Sequence, residues 1–358
     1  MNEYVYDIVK IPTSSPDDVS QLIRFLNNNP DMEVVAILGK TEGNGCINDF
    51  SRTLALTSIR RVLGSRAIEH PVLIMSGGTE GVLCPHLTVF IRRPRQVDDQ
   101  KGPALVFGTA HTKDIDALHV GRMEQVHEVE KATRFAMLRA GISNPEDIHF
   151  VQVKCPLLSD EQIADAQLKN KIPVTLDSYR SMGYSRGASA LGIALALGEV
   201  HDAQVKESII CRDWSIYSSV ASVSSGAELK NCEVLVLGNS HLASGPLRIR
   251  HEVMSDLVDI SSLQKTFADL INKTKGVGQV FAKADPQHFI RDRRTTMYSD
   301  SDIQPTRHAR AALGGLLGGL FGETMIYVSG GAEHQGPRCS GLQSKTACSQ
   351  STGFFGSH

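Results

Sequence analysis

Three short stretches of the chain read alike: Ser76-Gly77-Gly78-Thr79-Glu80, Ser224-Ser225-Gly226-Ala227-Glu228 and Ser329-Gly330-Gly331-Ala332-Glu333. Each follows a run with strand character, Val72-Leu73-Ile74-Met75, Ser219-Val220-Ala221-Ser222-Val223 and Met325-Ile326-Tyr327-Val328. A repeat of this kind decides how the rest of the chain is read. Three serines at the ends of three equivalent strands point to one site built with pseudo-threefold symmetry.

The pattern extends upstream of each serine. An arginine in a helical context precedes every copy: Arg52 in Ser51-Arg52-Thr53-Leu54-Ala55, Arg186 in Ser185-Arg186-Gly187-Ala188-Ser189, and Arg307 in Thr306-Arg307-His308-Ala309-Arg310. Further upstream a lysine closes another apolar strand: Lys40 after Val35-Ala36-Ile37-Leu38-Gly39, Lys154 after Phe150-Val151-Gln152-Val153, and Lys283 after Val280-Phe281-Ala282. The order strand, helix, strand-Lys, Arg-helix, strand-Ser therefore occurs three times. A single lysine at a strand end is usually a solvated edge charge, and a single Ser-Gly-Gly is usually a turn. The repetition in register is what separates these residues from that reading.

Polar, proline-bearing linkers divide the repeats, Arg93 to Pro103 and Asn239 to Pro246, giving units at 1–96, 104–240 and 247–358. In the first two units one more apolar strand follows the serine, Leu87 to Ile91 and Cys232 to Leu237. In the third, the stretch from Arg338 to Thr352 shows no apolar alternation. Residues 338–358 are therefore expected to be an atypical, poorly packed tail that leaves a sheet edge open.

With 358 residues, 41% of them apolar, the chain can bury a sizeable core. Its 37 basic and 39 acidic residues leave a net charge of −2, so no footprint for nucleic acid or an anionic membrane exists. No apolar run is long enough to span a bilayer and no secretory leader is visible, so a cytoplasmic protein is expected. Seven cysteines without a Cys-x-x-Cys pair read as free thiols, and thirteen scattered histidines exclude a zinc-hydrolase pattern. Only His308 and His334, beside repeat motifs, are kept as site candidates, with a structural role the more natural one.

Serine is a poor nucleophile until a base removes its proton, and lysine acts as that base only when neutral. Burial and neighbouring positive charge both favour the neutral amine. Three lysines and three arginines converging on one cavity would supply both conditions. The glycines after the serines leave backbone N–H groups unobstructed to hold a developing oxyanion. The expected substrate is a compact ring carrying several carbonyls.

The motifs Gly39-Lys40-Thr41-Glu42-Gly43-Asn44-Gly45, Met75-Ser76-Gly77-Gly78-Thr79-Glu80-Gly81, Thr306-Arg307-His308-Ala309-Arg310 and Val328 to Pro337 resemble those of the cyclic amide hydrolases, the family of cyanuric acid hydrolase and barbiturase. The resemblance covers nearly the whole chain, to about Pro337. It implies an α+β fold of three tandem homologous units with pseudo-threefold symmetry, strands forming a central β-barrel with helices outside, assembled as a homotetramer. By position it implies Lys154 as base and Ser224 as nucleophile. Arg52, Arg186 and Arg307 would hold ring carbonyls, and Ser76, Gly77, Ser225, Ser329, Gly330, Lys40 and Lys283 would bind the ring. It further implies no organic cofactor but a structural Mg2+ or Ca2+, held by Asp285 and carbonyls of Ala332, Gln335, Gly336 and Pro337. Oxygen-only ligation suits those ions. The implied reaction opens cyanuric acid to carboxybiuret, which loses carbon dioxide to give biuret. A barbiturase is the rival enzyme, and a non-catalytic binder of small rings the rival of another class. Intact Lys, Arg and Ser in every unit favour catalysis on a threefold ring.

Overall fold

The computed structural model describes residues 4–97, 99, 102–271, 277–335 and 344–350. The first unit runs β1 (Tyr4–Pro12), α1 (Ser20–Asn28), β2 (Glu33–Thr41), α2 (Phe50–Leu63), β3 (Ala67–Gly77) and β4 (His86–Pro94). The middle unit runs β5 (Ala104–His111), α3 (Met123–Ala140), β6 (Ile148–Pro156), α4 (Asp160–Leu168), α5 (Ser178–Leu197), β7 (Ala221–Gly226) and β8 (Glu233–Ser240). The third has β9 (Arg248–Met254), α6 (Ile260–Ile271), β10 (Val277–Ala284), the short pair β11 (Phe289–Ile290) and β12 (Arg293–Arg294), α7 (Pro305–Phe321), β13 (Tyr327–Gly330) and β14 (Ser344–Gln350).

Each unit builds one four-stranded sheet, ordered β1-β4-β2-β3, β5-β8-β6-β7 and β9-β14-β10-β13, and β11 and β12 pair with each other apart from these. In all three the last strand enters between the first and second, and the second and third strands lie parallel. The parallel pairs are apolar through both faces, as in Val34-Val35-Ala36-Ile37-Leu38 of β2, because neighbouring structure covers each side. Asp49 and Asp177 cap α2 and α5 by accepting hydrogen bonds from the backbone N–H groups of Ser51 and Arg180, which fixes where the arginine-bearing helices begin.

Two expectations need correction. The third unit does possess a closing strand: Ser344–Gln350 pairs antiparallel with both β9 and β10. A strand placed between two open edges is held by main-chain hydrogen bonds that any non-proline residue supplies, so side-chain alternation is not required. The rest of the expected tail, 338–343 and 351–358, lies outside the described residues. Nor do the strands close into one hydrogen-bonded barrel among the described residues; the three four-stranded sheets remain separate. The reason lies at the joints, where side chains rather than strands satisfy the outer edges of β3 and β7. Glu233 accepts from Leu73 N at 3.0 Å, and Gln335 accepts from Val223 N at 2.8 Å.

The units meet at an aromatic core to which each contributes. Phe90 of β4 packs edge-on to Phe107 of β5 at 5.4 Å, and Phe281 of β10 stacks on Phe150 of β6 at 4.8 Å and on Phe90 at 6.1 Å. Phe281 is two residues before Lys283, so this core forms a dry floor beneath the lysines.

Candidate active site

The same register recurs in all three parallel pairs: Lys40 opposite Ser76, Lys154 opposite Ser224, and Lys283 opposite Ser329. The lysines are about 1% exposed and the serines at most 9%, an environment that strips water from the ammonium groups. Burial accordingly pushes all three lysines down, Lys40 and Lys283 well below the usual amine range, and neighbouring Arg310 and Arg186 add to the effect there.

The lysines stitch the units into a ring. Lys154 Nζ donates to Met75 O of the first unit at 2.9 Å, and Lys283 Nζ donates to Val223 O of the middle unit. Lys40 Nζ lies 5.6 Å from the Tyr327 ring centroid of the third unit, closing the circle. Within units, Lys283 Nζ is 2.9 Å from Ser329 Oγ and Lys40 Nζ is 3.5 Å from Ser76 Oγ. Lys154 makes no hydrogen bond to Ser224 among the described contacts; its Nζ instead stands 3.1 Å from Glu228 Oε1.

The arginines form a second ring, and here one expectation changes. Arg186 of the middle unit pairs with Glu333 of the third through two 2.7 Å bonds. The equivalent pair between the third and first units is Arg310 with Glu80, through Nε at 2.8 Å and a second, shorter contact. Arg310, not Arg307, thus takes the pseudosymmetric place. Arg307 is one turn earlier on α7, and its Nε is buried without a hydrogen bond among the described residues. The signal was available in the sequence. Arg52, Arg186 and Arg310 each have a core aliphatic residue seven positions on, Ile59, Ile193 and Leu317, whereas Arg307 has Gly314. Arg52 donates to Ser225 O at 3.1 Å and to Cys46 O at 2.8 Å, and Arg186 Nη1 is 3.3 Å from Ser225 Oγ.

Gly78 and Gly331 adopt φ of +101° and +78°, and a Cβ there would come within 2.7 Å of Arg310 Nε and 2.6 Å of Arg186 Nε. Glycine is required on both counts, because the guanidinium groups rest on bare backbone. Gly77 and Gly330 similarly face Asp49 and Arg310.

The two candidate histidines are both engaged by protein partners. His334 Nε2 accepts from Cys211 N at 2.7 Å while Nδ1 lies 2.6 Å from Ile216 O, and His308 pairs with Asp300 at 2.9 Å. Of the expected metal ligands, Gly336 and Pro337 lie outside the described residues. Asp285 is buried and lines a 540 Å³ cavity together with Arg186, Gly331 and Glu333. Ala332 and Gln335 are buried on the turn beyond, with the Gln335 side chain committed to Val223 N and Gly331 O. Sequence reasoning also passed over Tyr327, fully buried, whose hydroxyl stands near Ser76 without closing a hydrogen bond among the described residues.

The sequence profile of the amidohydrolase ring-opening proteins matches residues 7–344. The chain belongs to the ring-opening amidohydrolase family. It is thus a hydrolase of cyclic amides. It is 48% identical over 335 residues to a cyanuric acid amidohydrolase of Azorhizobium caulinodans, covering 92% of this chain and 94% of that one. It is 45% identical over 356 residues to the cyanuric acid amidohydrolase of Pseudomonas sp. strain ADP, covering 94% and 98%. The crystal structure of the A. caulinodans cyanuric acid hydrolase superposes with a TM-score of 0.90 at 46% identity, over 97% of this chain and 99% of that one. A second cyanuric acid hydrolase structure, described as an innovation by structural concatenation, superposes with a TM-score of 0.91 at 43% identity, over 98% and 100%. No helix among the described residues is long and apolar enough to cross a membrane.

Proposed function

We propose that this enzyme hydrolyses cyanuric acid, opening the ring to carboxybiuret, which then loses carbon dioxide to give biuret. The observation that supports this reading most strongly is the threefold recurrence of a buried lysine in register with a serine, ringed by guanidinium groups. A flat ring with three equivalent carbonyls fits such a frame at every edge. Relatives at 45–48% identity that carry the same activity in their names support it independently.

In this reading Ser224 Oγ attacks one carbonyl carbon while Lys154 takes its proton. The carbonyl electrons move to oxygen, where backbone N–H groups and positive charge hold them. Collapse breaks the C–N bond, the lysine returns the proton to the leaving nitrogen, and water releases the acyl group from serine. Arg52, Arg186 and Arg310 hold the remaining carbonyls, with Lys40, Lys283, Ser76 and Ser329 around them. Apo hydrogen bonds between nucleophile and base are often open and tighten around substrate, so the missing Ser224–Lys154 bond is compatible with these roles.

One observation favours a second assignment: Lys283 and Ser329 are already 2.9 Å apart. Single alanine variants separate the two. Ser224→Ala and Lys154→Ala should each lose activity by orders of magnitude, with the double variant scarcely worse, because the pair acts as a unit. Retained turnover in Ser224→Ala with loss in Ser329→Ala would move the reaction to the third unit. A divalent ion fits the carboxylate-and-carbonyl chemistry of Asp285 with the chain from Ala332 onward, where it would brace that turn. Chelation should then lower the melting temperature, and an unchanged melting curve would remove the ion from this reading.

A further inference from the structure

The three glutamates that close the repeated pentapeptides are not used alike. Glu80 and Glu333 are each held by two bonds from an arginine of the preceding unit. Glu228 is not: Arg52 Nη2 stands 3.9 Å away, its guanidinium engaged by the backbone carbonyls of Cys46, Ser225 and Asp49. The carboxylate turns instead to Lys154 as an ion pair, its Oε1 3.1 Å from Nζ without closing a hydrogen bond among the described residues. Position 226 records the turn. A Cβ on Gly226 would fall 2.1 Å from Glu228 Oε2, whereas one on the matching Gly78 or Gly331 would meet a guanidinium.

We propose that Glu228 is the third member of a Ser224–Lys154–Glu228 arrangement, a positioning residue that holds Lys154 Nζ and stabilises the ammonium formed when Lys154 takes the Ser224 proton. This rests on the middle unit being the reacting one, and supplies a physical reason for it. A base must end its step protonated, and an ammonium in a dry site needs a counter-charge; among the described residues Lys154 has at 3.1 Å a carboxylate that no arginine hydrogen-bonds, whereas the matching Glu80 and Glu333 are each bonded by one. The proton moves from Ser224 Oγ to neutral Lys154 Nζ as the Oγ–C bond forms, and passes to the ring nitrogen as the C–N bond breaks. The carboxylate of Glu228 stays ionised throughout, as the acid of a Ser-His-Asp triad does.

The charged and titratable groups facing Lys154 are Glu228, Arg52, Cys155, Lys40 and, opposite it on β8, Glu233. Burial is the strongest influence on Lys154 and lowers it; Glu228 is the main group pulling it back up. Burial also raises Glu233, to about 7, so Glu233 is the rival source of any pH effect. Glu228 and Glu233 both line a 710 Å³ cavity between the first and middle units, shared with His70 and His111.

The test is the pH profile of kcat and kcat/KM for cyanuric acid in full-length Glu228→Gln, Glu228→Asp, Glu233→Gln, Glu333→Gln and Ser224→Ala. Glu228→Gln should lose about 10²-fold in kcat. The acid limb of its kcat/KM should move to lower pH, because the anion favouring the ammonium is gone. Glu228→Asp, its carboxylate drawn back by one methylene, should shift the limb the same way by less. Glu333→Gln should raise KM and leave the limb in place. An unmoved limb in Glu228→Gln, or one moved only by Glu233→Gln, overturns the role of Glu228 while the Ser224 reading stands. Activity retained in Ser224→Ala overturns both. Should Glu228→Gln melt below the assay temperature, Glu228→Asp carries the test alone, and an unmoved limb there is decisive against it.

Discussion

Replacing Arg310 by methionine should damage this enzyme far more than replacing Arg307. Arg310 is 5% exposed and its partner Glu80 has a side chain 17% exposed. Burial pushes the Glu80 carboxyl up, but its bonds to Arg310 outweigh this and leave it below the usual carboxylate range. Removing one member of such a buried pair strands the other charge, at a cost of about 3–5 kcal/mol. The partial exposure of Glu80 sets the expectation at the lower end, ~3 kcal/mol. For a chain of this size that corresponds to a melting temperature lower by ~4 °C. Arg310→Met/Glu80→Gln should recover part of the loss, since neither charge is then left alone. If the guanidinium also holds a ring carbonyl, KM should rise by roughly 10- to 150-fold, matching the ~1.5–3 kcal/mol of a hydrogen bond to a charged group. Arg307→Met should cost less than ~1 kcal/mol, because no ion pair among the described residues is broken. Thermal melts and initial rates on the three variants decide the matter. Larger losses in Arg307→Met than in Arg310→Met would refute the pseudosymmetric placement.

Three more outcomes are expected. His86 is fully buried, 2.7 Å from Cys84 O and 3.2 Å from Gln279 Nε2, and burial lowers it to about 4. Its folded value lies below the unfolded one, so its contribution is present above pH 6.5 and lost as pH falls toward 4, ~3 kcal/mol in all. Urea midpoints from pH 7 to 4 should show this decline, and His86→Gln should flatten it. Ending the chain at residue 343 removes β14, which leaves β9 unpaired and opens the edge of β10 that does not face β13; the shortened protein should aggregate on heating where the full chain stays soluble, and equal behaviour would count against the strand. Tyr327→Phe removes a buried hydroxyl that closes no hydrogen bond among the described residues, so stability should change by less than ~1 kcal/mol, whereas a change in KM would show that the hydroxyl meets the substrate.

The lysines and serines were legible because they recur in a fixed place, at the ends of parallel strands that backbone pairing brings into register. Arg310 was legible only indirectly, since Arg307 and Arg310 both sit on one helix and it is the residue seven positions on, Leu317 against Gly314, that tells which faces inward. β14 was missed because alternation reports a buried face, and this strand is positioned by two waiting edges instead. The turn of Glu228 from arginine to lysine was not readable either. Ala227-Glu228 and Ala332-Glu333 are the same dipeptide, and what separates them is how the backbone carbonyls around Arg52 capture its guanidinium.

The most direct measurement is incubation of the purified protein with cyanuric acid and, separately, with barbituric acid, followed by product identification. Cyanuric acid should be consumed with release of carbon dioxide and accumulation of biuret, and barbituric acid should be opened slowly or not at all. Preferential opening of barbituric acid, or no turnover of either ring, would contradict the assignment.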